Sequence, residues 1–297
     1  MARLKKRKVC LYHKDCLDGT AAAWAVLNKY PDIQCIPVEY HAPIPEGLDD
    51  CDVIMVDFCY KLPAMKRLLD TVNSLIVIDH HEPTASVIND LKRYSSWIDK
   101  KLEIVFDLNF SGCQLTWRYF NPDRPLPSPI QHVGDADLWK FKLPNTKDIV
   151  YGLSGLPQDP HVWTDTLSIY FNKRAFSDVR FNRHFEQHGK SIRGYLTEQY
   201  KRVIKQTKRM ICMNNMIVPM VNCPRSMASE VLEILYQDYP FAVSYYDTQD
   251  KRIFSLRSSN TNANSVRVND IAVVFGGNGH PHAAGFTVPR DHRMAKM

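Results

Sequence analysis

Three short apolar runs, 9–12, 53–56 and 75–78, are separated by stretches of helical character at 19–30 and 62–72. Runs that are apolar without clean alternation are strands buried on both faces. Strands that alternate with helices pair in parallel through right-handed crossovers. The N-terminal part is therefore expected to be α/β, with a doubly wound, mainly parallel sheet whose strand C-terminal ends share one edge. Polar, chemistry-bearing residues sit just past those ends.

The rest of the chain follows from breakers and charge. Prolines concentrate at 122–129, order returns near Gln131, and 180–210 is charged and nearly free of breakers, long enough for a linking helix. A second strand set begins at 217–221. It continues with a helix at 229–236, for which Ser226 or Ser229 is a plausible N-cap, strands at 242–246 and 252–257, a further helix and a Gly-rich end. With 297 residues, 44% of them hydrophobic, the chain is long enough for about two domains. The expected division is an N-terminal domain over 1–185, a linker helix over 186–210 and a smaller C-terminal α/β domain over 211–297.

No stretch approaches the roughly 20 consecutive apolar residues of a membrane span, and no signal-peptide core follows the basic start, so a cytoplasmic protein is expected. Eight cysteines (10, 16, 35, 51, 59, 113, 212 and 223) contain no C-x-x-C pair and read as reduced, mostly buried thiols. The net charge of +6 favours anionic partners without suiting a protein that coats long duplex DNA. Much of the surplus lies in Arg3, Lys5, Lys6, Arg7 and Lys8, most simply a solvated arm.

The first strand runs into His13-Lys14-Asp15-Cys16-Leu17-Asp18-Gly19, the second into Asp57, and the third into Asp79-His80-His81; Asp135-Ala136-Asp137-Leu138-Trp139 follows Gly134. Taken singly, each aspartate reads as a helix cap. Acidic residues ending three buried strands, interleaved with imidazoles, instead form a ligand set for Mn²⁺, Fe²⁺ or Zn²⁺.

These motifs resemble the DHH phosphoesterases, a family that includes RecJ-type exonucleases, nanoRNases, cyclic dinucleotide phosphodiesterases and manganese pyrophosphatases. Asp79-His80-His81 matches the naming motif, 13–19 the first motif, and Val56-Asp57 the second. Asp135 through Phe141 matches the fourth in a register that selects Asp135, not Asp137. Gly276-Gly277-Asn278-Gly279-His280, continuing to Gly285, is similar to the Gly-rich signature of the DHH-associated C-terminal domain, and Ser255-Leu256-Arg257-Ser258 to its arginine strand. Five motifs in family order span nearly the whole chain. The first motif departs from the common pattern by one extra residue between Asp15 and Asp18, and is closer to a subgroup with H-x-x-C-x-D-G.

The resemblance implies a phosphoesterase with two divalent ions, Mn²⁺ foremost, acting on phosphodiester bonds. Asp57 would bridge the ions. His13 and Asp15 would complete one site, and Asp18, His80 and Asp135 the other. Asp79 would orient a ligating imidazole, and His81 would contact the phosphate or deliver a proton. Arg257, Gly276, Gly277, Gly279 and His280 would hold substrate phosphate. Short oligonucleotides or small nucleotides are the expected substrates, and a homo-oligomer is compatible with the chain. The alternatives are a cyclic dinucleotide phosphodiesterase, a pyrophosphatase or polyphosphatase, or a catalytically silent nucleotide-binding protein.

Other features read as structural. His184 and His188 are four apart on a predicted helix without the glutamate of a zinc-protease motif. Trp97, Trp117, Trp139 and Trp163 read as core aromatics, and Arg202, Lys205, Lys208 and Arg209 as a solvated helix face.

Overall fold

The computed structural model describes residues 6–39, 42–92, 101–172 and 175–296, which leaves Arg3, Lys5 and Trp97 outside the described residues. The chain divides into two compact units, Met1–Arg193 and Gly194–Met297.

Unit 1 begins with β1 (Lys8–His13), α1 (Leu17–Lys29), β2 (Gln34–Val38), β3 (Asp52–Val56), α2 (Leu62–Thr71), β4 (Ser74–Asp79), α3 (Glu82–Lys92) and β5 (Leu102–Phe106). The five strands pair in parallel in the order β2-β1-β3-β4-β5. The three expected strands are its centre. The two that sequence did not show are its edges: β2 is partly exposed and carries Pro37, which an edge strand tolerates.

Within each apolar run alternate residues serve opposite faces. Cys10, Tyr12, Ile54, Val56 and Ile78 pack under α1 together with the helices that follow β5: α4 (Gly112–Phe120), α5 (Ser128–Asp137), α6 (Thr146–Ser154) and α7 (Pro160–Leu167). Val9, Leu11, Val53, Met55, Leu75 and Val77 meet Met65, Leu68 and Leu69 of α2 on the other face. The small residues Ala21, Ala22, Ala23 and Ala25 make α1 narrow, and Trp24 stacks on Trp117 of α4 with ring centroids 5.8 Å apart. This close approach brings the N-termini of α1 and α4 to the C-terminal ends of the strands.

A short antiparallel pair, β6 (Phe171–Asn172) and β7 (Ala175–Phe176), precedes α8 (Asp178–Thr207). Phe181 and Phe185 of α8 are buried in the core of unit 1. Tyr200 is buried in unit 2 against Val231 and Leu232, with Leu196, Val203 and Ile204 partly buried beside it. The division at 193/194 thus lies inside one helix. That helix ends at Thr207, and Arg209 already belongs to a strand, so the last residues of the expected 186–210 linker are not helical.

Unit 2 comprises β8 (Arg209–Met213), β9 (Met216–Asn222), α9 (Ala228–Leu235), β10 (Ala242–Asp247), β11 (Lys251–Arg257), α10 (Val268–Val274), β12 (Asn278–His280) and β13 (Ala283–Pro289). Its sheet has the order β12-β13-β11-β10-β9-β8, antiparallel except between β9 and β10. Neither Ser226 nor Ser229 caps α9: Met227 occupies the N-cap, and the Ser229 hydroxyl accepts from Arg257 Nη2 at 3.1 Å. No described helix is long and apolar enough to cross a membrane.

Candidate metal centre

The strand order of unit 1 reverses between β1 and β3, and a doubly wound sheet opens a crevice at the strand C-terminal ends there. His13 ends β1, Asp57 follows β3, and Asp79 ends β4 with His80 and His81 immediately after it. Asp18 returns to the same place from the first turn of α1, and Asp137 from the last turn of α5.

Asp57 stands at the centre. Its Oδ2 is 3.5 Å from His13 Nδ1 and accepts the Cys16 thiol at 3.3 Å, while its Oδ1 is 3.3 Å from His80 Nε2. The same His80 nitrogen lies 3.6 Å from Asp18 Oδ2 and 3.5 Å from Asp137 Oδ2. Asp57 adopts a left-handed φ of 62°, which non-glycine residues seldom populate, and its amide donates to Ile78 O at 2.9 Å. The backbone is bent so that the carboxylate turns into the cluster rather than continuing the strand.

Asp79 has a different task. It accepts from the His80 amide at 2.8 Å, from His81 Nδ1 at 2.8 Å and from the Thr84 hydroxyl, so it clasps the turn that carries both imidazoles. Burial would push its carboxyl up, but the hydrogen bonds from His81 and Thr84 outweigh burial and hold it below the ordinary carboxylate range. Burial likewise disfavours a charged His81, and the Asp79 carboxylate overcomes this to raise the imidazole above its usual value.

The other carboxylates are pushed the opposite way. Burial and then the neighbouring Asp18 and Asp137 carboxylates raise Asp57 well above its ordinary value. Burial and Asp18 push Asp137 up to about 7. Burial, followed by Asp57 and Asp18, raises the Cys16 thiol. His13 is lowered, by burial first and then by His81.

Asp18 and Asp57 are 1% and 0% exposed, and Asp18 Oδ2, Asp57 Oδ1 and His80 Nε2 are buried without a hydrogen-bond partner among the described residues. Acidic groups crowded in this way call for a cation. The donor separations of 3.3–3.6 Å suit one: ligands about 2.0–2.3 Å from a tetrahedral ion stand roughly 3.3–3.8 Å apart. His13, Cys16 and Asp57 form one such group and Asp18, His80 and Asp137 another. The residues present therefore fit a pair of divalent ions, with Asp57 facing both.

Two expected ligands stand apart from these groups. Asp15 has a left-handed φ of 51°, and its side chain, 79% exposed, turns away toward Lys14, while Cys16 faces Asp57. Asp135 is nearly buried but fully engaged: it accepts from the Lys142 amide at 2.9 Å, the Leu143 amide at 3.0 Å and the Thr146 hydroxyl at 2.6 Å, closing the loop after α5. Asp137, not Asp135, is the aspartate grouped with Asp18 and His80.

Gly112 was not singled out from sequence. A Cβ there would lie 2.7 Å from Asp57 Oδ1 and 3.0 Å from Asp18 Oδ2, so the start of α4 can close over the carboxylates only as glycine. Next to it, the Cys113 amide donates to Asp18 Oδ1 at 3.1 Å. Nothing in the local sequence marks this contact, which joins segments about 95 residues apart.

In unit 2 the register aligns Arg257 with Ala283 and Ala283 with His280, which places Arg257 and His280 in one row across three strands. Arg257 donates to Ser229 Oγ and to Leu256 O, while His280 is exposed on the edge strand. Gly277 and Gly279 have a packing reason: a Cβ would come within 2.2 Å of Gly285 O and 2.4 Å of Ala284 Cα. Gly276 has φ 73° and open space around it. His282 Nδ1, 2.9 Å from Ser258 Oγ, ties the loop after β11 to the Gly-rich segment.

Of the residues read as structural, Trp117 and Trp163 are buried, but Trp139 is 58% exposed and rests edge-on against Phe141, centroids 5.1 Å apart. The rings of His184 and His188 are in contact, tilted by 48° with centroids 4.2 Å apart.

Unit 1 is thus a doubly wound α/β body with a carboxylate–imidazole centre at the point where its strand order reverses. No family profile matches the chain. An uncharacterized protein of Acanthamoeba polyphaga mimivirus is 28% identical over 301 residues, a match covering 93% of this chain and spanning 66% of that protein's length. A pGpG-specific phosphodiesterase of Vibrio cholerae shares the fold with 14% identity and a TM-score of 0.54, over 98% of this chain and 97% of its own. An exopolyphosphatase-related protein of Bacteroides fragilis does so with 13% identity and a TM-score of 0.50, over 96% and 87%. The fold is that of the DHH phosphoesterases, the family its motifs resemble.

Proposed function

We propose that the chain is a metal-dependent phosphoesterase that hydrolyses phosphodiester bonds of short oligonucleotides or small nucleotides. The observation that carries this reading is Asp57: fully buried, with one oxygen 3.5 Å from His13 and the other 3.3 Å from His80. A carboxylate divided between two donor groups is what a two-ion phosphoryl-transfer centre requires. When bound, two divalent ions, Mn²⁺ foremost, would supply positive charge that eases the deprotonation of water and the build-up of charge on a phosphoryl group.

The chain's own residues supply the rest. His13 and Asp57 hold one side of the centre, and Asp18, His80 and Asp137 the other. Asp79 fixes His81 with Nδ1 bound and keeps the imidazole charged to higher pH, so that the ring can donate a proton to the leaving oxygen or hold a phosphoryl oxygen. Arg257 and His280, in one row of the second sheet, offer charge and a hydrogen bond to a further phosphate.

The substrate class follows from the modest net charge of +6, which suits small anions better than long duplexes. The pGpG specificity of the Vibrio cholerae protein, which shares the fold, supports a linear dinucleotide. The name of the Bacteroides fragilis protein favours polyphosphate as the second reading.

Asp57→Asn should remove bound metal and turnover while leaving the protein folded, with a melting temperature close to that of the metal-free wild type. Normal turnover in that variant would sink the proposal. A panel of dinucleotides, pAp, cyclic dinucleotides and polyphosphate with Mn²⁺ separates the two readings: a preference for polyphosphate would overturn the nucleotide assignment.

A further inference from the structure

The turn after β1 places a thiol where a carboxylate was expected. Asp15 is turned outward by its left-handed backbone, and the next residue, Cys16, directs Sγ to 3.3 Å from Asp57 Oδ2. Cys16 occupies the N-cap of α1 in an extended conformation (φ −120°, ψ 131°), with its sulfur also beside the Gly19 amide. Its sulfur, a His13 nitrogen and an Asp57 oxygen all lie within 4.8 Å of one another. Independently, the far oxygen of Asp57 is buried without a hydrogen-bond partner, so the carboxylate that Cys16 faces is itself waiting for a cation.

We infer that Cys16 is a metal ligand, giving the His13 side of the centre a sulfur–nitrogen–oxygen donor set while the Asp18–His80–Asp137 side is dominated by oxygen. This rests on the metal centre proposed above and divides it into two unlike sites. As the sulfur takes the ion, its proton leaves to solvent. A thiolate beside an imidazole selects Zn²⁺, Co²⁺ or Fe²⁺ over Mg²⁺ and Mn²⁺, whereas the oxygen-rich group accepts the harder ions. The first site thus favours a borderline ion, while the oxygen-rich site keeps the preference for Mn²⁺. The other cysteines near the cluster are otherwise employed: Cys113 Sγ lies 3.3 Å from Ser111 Oγ and points toward Ile130 O, and Cys59 contacts Tyr60 O.

Cobalt substitution of the metal-free full chain tests this without reference to activity. The wild-type protein loaded with Co²⁺ should show visible ligand-field bands together with a near-ultraviolet sulfur-to-cobalt charge-transfer band. Cys16→Ser should keep the visible bands and lose the near-ultraviolet one. Even supporting groups around a metal change affinity about 10–100-fold, so removing a direct ligand should weaken Zn²⁺ binding at least about tenfold and Mn²⁺ binding much less. Peptide mapping after alkylation of the wild-type chain gives a second readout that needs no variant: Zn²⁺ should protect Cys16. A charge-transfer band that persists in Cys16→Ser, visible bands without it in the wild type, or equal alkylation with and without Zn²⁺ would each overturn the inference. Absence of visible bands altogether would overturn the metal centre itself.

Discussion

At the scale of single residues, the centre turns on which of two neighbours faces inward. Residues 135 and 137 lie in the last turn of α5, where a step of two positions rotates a side chain through roughly 200° and so to the opposite side. A motif register cannot see that rotation. The same holds for Asp15 and Cys16, exchanged by a left-handed backbone at Asp15 that no composition rule announces. The two aspartates of α5 should separate cleanly on mutation. Asp135→Ala strips acceptors from two amides and the Thr146 hydroxyl, and should lower stability by about 1–3 kcal/mol in urea unfolding, with metal stoichiometry intact in the folded protein. Asp137→Asn should lower metal content and leave the stability of the metal-free protein nearly unchanged. The reverse pattern would return Asp135 to the ligand set.

At the scale of elements, the β4–α3 turn was the most legible part of the chain, because its chemistry is compressed into consecutive residues: a buried strand, an aspartate and two imidazoles. The N-terminus of α4 was the least, because the need for Gly112 arises only when α1 and α4 pack side by side over the strand ends. Edge strands β2 and β5 were hidden for a related reason, since partial exposure dilutes the apolar pattern by which central strands are found. The turn itself yields a pH prediction. Because Asp79 raises the His81 pKa, the protonated imidazole persists to higher pH and is lost as pH climbs through that raised value. Asp79→Asn removes the supporting charge, so the alkaline fall in kcat should move to lower pH. An alkaline limb that stays in place would show that His81 does not donate the proton.

At the scale of the whole molecule, the motif order fixed the sequence of the two α/β units, while the position of their division, at 193/194, was set by packing that extends along a helix with no breaker to mark it. Unit 1 holds the proposed metal ligands and also all five tryptophans, 24, 97, 117, 139 and 163, so indole fluorescence reports on that unit. Occupancy of the centre at 100-fold above Kd would add about 2.7 kcal/mol to its stability, or roughly 5–10 °C for a unit of this size. Chelation should lower the fluorescence melting transition by that amount, and a transition indifferent to chelator would argue against a centre that binds ions tightly. The continuity of α8 from Asp178 to Thr207 has a further consequence, one of phase. Each residue of an α-helix advances its successors by about 100° around the axis. Phe181 and Phe185, four apart, therefore face the same side, and a single insertion between them would turn the second ring about 100° out of the core of unit 1.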